Sequence, residues 1–157
     1  MRVRCYKPKD AAAVARLFTE SVRATCTRDY SPKQIAAWAP EPPDVEQWRR
    51  RLDSLIAFLA EEDSKIVGFA TFESDGHLDH LYVDNRFQRR GVASALWRRI
   101  EQEALARGIH RIFTEASVTA LPFFESVGFR VTASGNIEHN EVSFKNYRME
   151  RSLDAAG

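Results

Sequence analysis

The spacing of apolar positions changes several times along this chain, and each change marks an element. Residues 2–6 read as a short strand. From Asp10 an alanine-rich stretch places Val14, Leu17, Phe18 and Val22 on one helical face. Ser31-Pro32-Lys33-Gln34 predicts a second helix, with Ser31 as N-cap, Pro32 at the first helical position and Gln34 completing a capping box. That helix carries Ile35 and Trp38, and a third begins at Asp44 with Trp48 and Leu52. The period then shortens. Apolar runs at 55–60, 66–72 and 77–83, separated by Glu62-Asp63-Ser64-Lys65 and Ser74-Asp75-Gly76, predict an antiparallel three-strand meander. Residues 91–107 return to helical spacing, with Ala95, Leu96, Ile100, Ala104 and Leu105 inward and Gly108 closing the helix. A strand at 111–116, a short helix at 119–127 and two strands from Phe129 follow, the last over 143–150. The strand–helix–strand unit across 77–116 should be parallel and right-handed. The expected fold class is α+β: a mixed, mostly antiparallel sheet of about six to seven strands, with helices on both faces.

Composition narrows the function classes. The chain has 157 residues, enough for one domain with a core, taken as 1–157. A hydrophobic share of 44% and a charged share of 29% fit an ordinary globular protein. The formal charge of +1 gives no strong field toward nucleic acid or an anionic membrane, so any anion site must be local. No apolar stretch approaches the roughly 20 residues of a membrane helix. Met1-Arg2-Val3-Arg4-Cys5 lacks the apolar core of a secretory signal. Cys5 and Cys26 have no metal-ligand spacing and read as reduced, packed thiols. The expectation is a cytoplasmic protein, monomer or homodimer, with no metal, nucleic-acid or membrane partner.

The informative segment runs from Tyr82 to Ser94, joining a strand to the start of the long helix. Gly91 allows close approach of a ligand to the backbone, and Ala93 and Ser94 are small. The first helical turn offers free N–H groups and the positive end of the dipole, an arrangement suited to phosphate. Arg86, Arg89 and Arg90 add local positive charge. The segment is neither a Walker loop nor a GxGxxG dinucleotide turn. Taken alone, the same pattern also describes a solvated basic loop.

Three stretches together carry a family likeness. Gln88-Arg89-Arg90-Gly91-Val92-Ala93, preceded by Leu81-Tyr82-Val83, resembles the acetyl-CoA-binding motif of the GNAT superfamily of N-acetyltransferases. Ser117-x-x-Ala120-x-x-Phe123-Phe124-Glu125-x-x-Gly128-Phe129 is similar to the family's C-terminal signature. Tyr30-Ser31-x-x-Gln34-x-x-Ala37-Trp38 is a looser match, to a subgroup of small bacterial enzymes. The resemblance implies a sheet splayed between the fourth and fifth strands, with acetyl-CoA in the gap. Backbone groups of Leu81, Tyr82 and Val83 would then pair with the pantetheine arm and acetyl carbonyl. The amides of Arg89, Gly91, Val92, Ala93 and Ser94, beside Arg90, would hold the pyrophosphate, with Gln88 shaping the loop. Ser117, Ala120 and Phe123 would line the other wall, although the family often has Asn where this chain has Ser117. Plain core packing is the competing account of Phe123 and Phe124.

The implied reaction is direct attack of an amine on the thioester, without an acyl-enzyme. It needs a proton acceptor and donors for the oxyanion. Candidate bases lie on the fourth strand: His77, Asp79 and His80, with Glu73 and Glu115 behind them. Strand alternation separates these side chains, and a bulge near the splay would re-aim them. His80 has the most useful ordinary pKa, while Asp79 would act through water. Many relatives carry Tyr where this chain has Phe124, which cannot donate a proton; Tyr147 on the last strand is the substitute candidate. The family's acceptor site points to Tyr30, Trp38 and Trp48, with Trp38 beside a proline-rich loop as a lid wall and Trp48 read as core. The leading expectation is an acetyl-CoA amine acetyltransferase acting on a small molecule or an exposed peptide amine; the rivals are a non-catalytic acyl-CoA sensor and a nucleic-acid binder using Arg86, Arg89, Arg90, Arg98 and Arg99.

Overall fold

Local signals set most element boundaries. Ser31 Oγ accepts from the Gln34 N–H at 3.2 Å and Gln34 Oε1 from the Ser31 N–H at 2.9 Å, the reciprocal box read from the sequence. Asp44 likewise caps the third helix through the Gln47 N–H at 3.0 Å. Asp10 behaves differently from a helix cap. Its carboxylate turns back to Arg4 at 3.0 and 3.1 Å and to the Lys7 N–H at 2.9 Å, so it ties the first strand to the first helix.

The computed structural model describes residues 1–153. In chain order the elements are β1 (Arg2–Cys5), α1 (Ala11–Thr25), α2 (Pro32–Trp38), α3 (Val45–Asp53), β2 (Ile56–Glu62), β3 (Lys65–Phe72), β4 (Leu78–Val83), α4 (Val92–Ala106), β5 (Arg111–Ser117), α5 (Leu121–Ser126), β6 (Arg130–His139) and β7 (Val142–Ser152). The strands form two sheets, β1-β2-β3-β4 and β5-β7-β6, every neighbouring pair antiparallel. The expected parallel unit survives as one bridge, from His77 just ahead of β4 to Phe113 of β5. The fold is therefore α+β with its sheet opened between the fourth and fifth strands.

Two apolar clusters cover the faces. One joins α4 and α5 to both sheets through Phe72, Leu96, Ile100, Ile112, Phe124 and Met149. The other packs α1, α2 and α3 on the opposite face through Val14, Phe18, Leu52, Leu59, Phe69 and Phe144. The start of α4 lies close to β3 because residue 68 is glycine. A Cβ there would meet the Val92 side chain at 2.9 Å, Leu96 at 3.0 Å and the Tyr82 carbonyl at 3.1 Å. Gly68 thus sets how near the helix N-terminus comes to β4. Among the described residues no helix is long and apolar enough to cross a membrane.

Candidate active site

β4 and β5 form a wedge. At its closed end the Phe113 N–H donates to Gly76 O at 3.0 Å, and buried Thr114 Oγ1 donates to Leu78 O at 2.8 Å. Beyond these bonds the strands part. The Asp84 N–H donates to Val67 O at 2.8 Å, which fixes the hydrogen-bonding phase between β3 and β4. Antiparallel alternation then aims the main-chain groups of Leu81 and Val83 into the wedge and those of Tyr82 into β3. This corrects the expectation that all three backbones serve a ligand. Tyr82 contributes its ring, 4.9 Å from Phe18 and 5.8 Å from Phe69 between centroids. One outward group is already occupied: Val83 O accepts from Ser21 Oγ at 3.0 Å and from Gln88 Nε2 at 3.2 Å. Gln88 therefore anchors the following turn to the strand.

That turn opens on solvent. Arg89 adopts φ +62° and Gly91 φ +80°, the left-handed region. The first helical hydrogen bond is from the Ala95 N–H to Gly91 O, which leaves the amides of Val92, Ala93 and Ser94 ahead of the intrahelical ladder. A Cβ at residue 91 would meet nothing within 4 Å. Two left-handed residues, Arg89 and Gly91, thus lead into these free amides at the positive end of a 15-residue helix. The expected arginine charge is partly spent. Arg86 is bound to buried Asp84 through Nε at 3.2 Å and Nη2 at 2.9 Å, and the arginine holds that carboxyl below its ordinary range. Arg89 and Arg90 remain exposed, Arg90 lying 5.1 Å from the centroid of the Phe87 ring.

At the other end of β4 two cavities adjoin. One of about 320 Å³ enters the wedge, with Tyr30, Trp38, Tyr82, Glu115 and Ser117 among its walls. The other, of about 580 Å³, lies under the α2–α3 loop and the β6–β7 hairpin tip. His80 lines both. It does so because β4 carries a bulge: Thr71 pairs with His80 but Phe72 pairs with Leu78, leaving Asp79 as the extra residue. Without it Leu78 and His80 would share a face. Instead Leu78 enters the α4-side core, and His80 turns to the opposite side among Phe18, Trp48 and Phe69.

His80 Nδ1 sits 2.8 Å from Thr71 Oγ1 and 3.6 Å from Asp79 Oδ2. Burial pushes its imidazole down from 6.5 to about 4, against the opposing pull of Asp79. Asp79 is itself paired with Arg51, Nη2 at 2.6 Å and Nε at 3.1 Å, and Arg51 also reaches Glu73 at 3.1 Å. His77 stacks on Phe113 and meets Glu115 Oε1 at 2.8 Å. Of the candidate bases, His80 alone has no carboxylate within hydrogen-bond reach and borders both cavities.

The structure separates the remaining expected residues. Trp38 lines both cavities. Tyr30 is 7% exposed and its hydroxyl accepts from the Val118 N–H at 2.8 Å, so it ties the α1–α2 loop to the end of β5. Ser117 Oγ accepts from the Ala120 N–H at 3.1 Å and faces the smaller cavity. Ala120 and Phe123 pack against the α4-side cluster. Tyr147 joins that cluster too, with Lys145 Nζ 5.4 Å from its ring centroid, and lines neither cavity. Phe124 is 5% exposed in the same core. Trp48, read as core, is half-buried and walls the larger cavity. Sequence reasoning missed Ser21, Arg51, Thr71, His139 and Asn140. Only the Asp84-Asn85-Arg86 turn, in which Asp84 accepts from the Arg86 N–H at 2.9 Å, carried a local signal.

A family model described as an acetyltransferase (GNAT) domain matches residues 26–151. The chain belongs to the GNAT family of acetyltransferases. It is 33% identical over 149 residues to the uncharacterized N-acetyltransferase YafP of Escherichia coli, covering 95% of this chain and 94% of that one. A GCN5-related N-acetyltransferase from Rhodopseudomonas palustris superposes with a TM-score of 0.93 at 32% identity, covering 97% of this chain and 95% of that chain. PaiA N-acetyltransferase from Thermoplasma acidophilum, solved with coenzyme A, shares the fold at TM-score 0.77 and 18% identity, covering 97% and 99%.

Proposed function

We propose that this acetyltransferase acts as one domain and moves the acetyl group of acetyl-CoA directly onto a primary amine, with His80 as the proton acceptor. The observation that carries the proposal is the position of His80: the Asp79 bulge turns it to the junction of the two cavities, with Nδ1 engaged by Thr71.

The residues present suit the cosubstrate. The amides of Arg89, Gly91, Val92, Ala93 and Ser94, with Arg89 and Arg90 beside them, suit a diphosphate. Open space above Gly91 leaves room for it. Leu81 and the N–H of Val83 offer main-chain partners along the wedge, and Ser117, Ala120 and Phe123 stand across from them. Bound there, acetyl-CoA supplies an activated acyl carbonyl.

The chain's own groups then handle the proton. Arg51 holds Asp79, whose charge 3.6 Å from His80 Nδ1 favours a hydrogen there; Thr71 Oγ1 can accept it, which leaves a lone pair on Nε2. As the new C–N bond forms the nitrogen becomes more acidic, so a base of lowered pKa suffices to take its proton. Asp79 therefore acts on the base through its charge and not through a hydrogen bond, and Tyr147 has no part in the reading.

His80→Asn tests it, since asparagine can still hydrogen-bond Thr71. The kcat should fall about 100-fold or more, with acetyl-CoA affinity within about two-fold by calorimetry. An unchanged kcat removes His80 from the mechanism.

A further inference from the structure

The larger cavity says what kind of amine it takes, provided the acetyl-transfer reading above holds. Three rings from different parts of the chain wall it: Phe18 of α1, Trp38 of α2 and Trp48 of α3. They are braced in place. Phe18 and Trp48 lie 4.8 Å apart between centroids, Trp48 and His80 5.2 Å, and Trp38 and Tyr30 5.4 Å. Pro40, Pro42 and Pro43 complete that side with stiff, apolar surface.

Most polar side chains around the same space are already committed, with the side chains of Gln47 and His139 the exceptions. Asp44 caps α3, Thr19 Oγ1 donates to Ala15 O at 3.0 Å, and Asn140 Nδ2 donates to Ala37 O at 2.7 Å. Arg51 is the only lysine or arginine among the described residues lining the cavity, and Asp79 and Glu73 both hold it. A phosphate or carboxylate on the acceptor would meet a cation whose charge two carboxylates already offset. A sugar would find few free donors and acceptors beyond Gln47 and His139 to replace water. A flat, apolar body meets rigid aromatic faces and loses little.

We propose that the acceptor is a primary amine carried on an aromatic ring system, with the ring held among Phe18, Trp38 and Trp48 and the nitrogen directed at His80. A base kept neutral in an apolar pocket is consistent with an acceptor that brings no further charge.

The test uses the full chain with acetyl-CoA, reading CoA release. Phenethylamine, tryptamine and aniline are compared with glucosamine 6-phosphate, aspartate and spermidine. The best aromatic amine should exceed every non-aromatic one by about ten-fold or more in kcat/KM. Trp38→Leu should raise the KM for that amine about ten-fold with kcat within about two-fold, since the lost contact is ground-state binding. Unchanged acetyl-CoA affinity in that variant reports an intact fold. Equal or better turnover of the anionic or polyamine acceptors overturns the aromatic assignment and leaves acetyl transfer standing. No turnover with any amine, despite acetyl-CoA binding, overturns both.

Discussion

The two ends of β4 are built on different principles. At the Val83 end the proposed anion nest is main chain: amides at the start of α4 and two left-handed residues, one of them a glycine with nothing above it. At the His80 end the cavity is side chain: three aromatic rings, three prolines and a histidine turned by a bulge. A main-chain site tolerates almost any residue that preserves φ and leaves space, so most of its side chains are interchangeable. A side-chain site depends on each ring and each hydrogen bond. The nest should therefore be fragile only at Gly91, and the cavity at many positions, each by less.

Gly91→Glu is the strongest challenge to that contrast. It forces a side chain into the left-handed region and sets a carboxylate where a diphosphate would rest. Acetyl-CoA affinity by calorimetry should fall about 100-fold or more, the equivalent of about 2.7 kcal/mol. Gly91→Ala separates the two causes. Its methyl has open space, so only the cost of φ +80° remains, about 1 kcal/mol, and affinity should drop less than about ten-fold. Equal losses in both variants would mean that backbone geometry alone governs the nest. No loss in either would remove the nest from ligand binding.

The same contrast explains what the sequence disclosed. The Ser31 and Asp44 caps, the meander and the Gly91 turn are set by residues within a few positions of each other, and all were readable. The motif around residues 88–93 was legible because a main-chain nest leaves a glycine and small residues in a fixed order. The larger cavity draws Phe18, Trp38, Pro43, Trp48, His80 and His139 from far-separated segments, and no local pattern joins them. Strand period placed Asp79 and His80 on opposite faces, but only the register with β3 reveals Asp79 as the extra residue. Thr71 carried no signal, being one threonine in an apolar run. Arg86 counted as free charge until Asp84, two residues away, was seen to hold it.

Thr71→Val sharpens the side-chain half. The swap keeps the shape of a fully buried residue and removes the oxygen 2.8 Å from His80 Nδ1. The proton can then move to Nε2, so kcat should fall about ten-fold while the KM for acetyl-CoA holds. Thr71→Ser should restore most of it. The acid limb of the kcat/KM profile should lie near pH 4 rather than 6.5, because burial lowers the His80 pKa. Stability follows the same sign. The unfolded chain binds this proton between pH 6.5 and 4 while the folded chain does not, so the neutral imidazole's contribution is full above 6.5 and is lost toward 4. His80→Asn should flatten that part of the stability curve. A Thr71→Val enzyme with wild-type kcat would show that the cavity fixes the ring without this bond.

The smallest effect concerns Phe124, for which the family resemblance implied a tyrosine. Its ring is 5% exposed, with Phe129 at 5.1 Å and Phe123 at 5.5 Å between centroids. Phe124 belongs to the α4-side core, and neither cavity is lined by it. An added hydroxyl would enter a cluster that also holds Trp97 and Ile100, without a partner, at a cost of about 1–3 kcal/mol. At about 2–4 °C per kcal/mol for a chain of this size, the melting temperature of Phe124→Tyr should drop by several degrees, with kcat within about two-fold. A variant that keeps its melting temperature and gains turnover would place this ring edge in the wedge and return proton donation to α5. A colder, equally active variant would leave the thiolate to depart without a tyrosine, and the chemistry of the site would rest on β4.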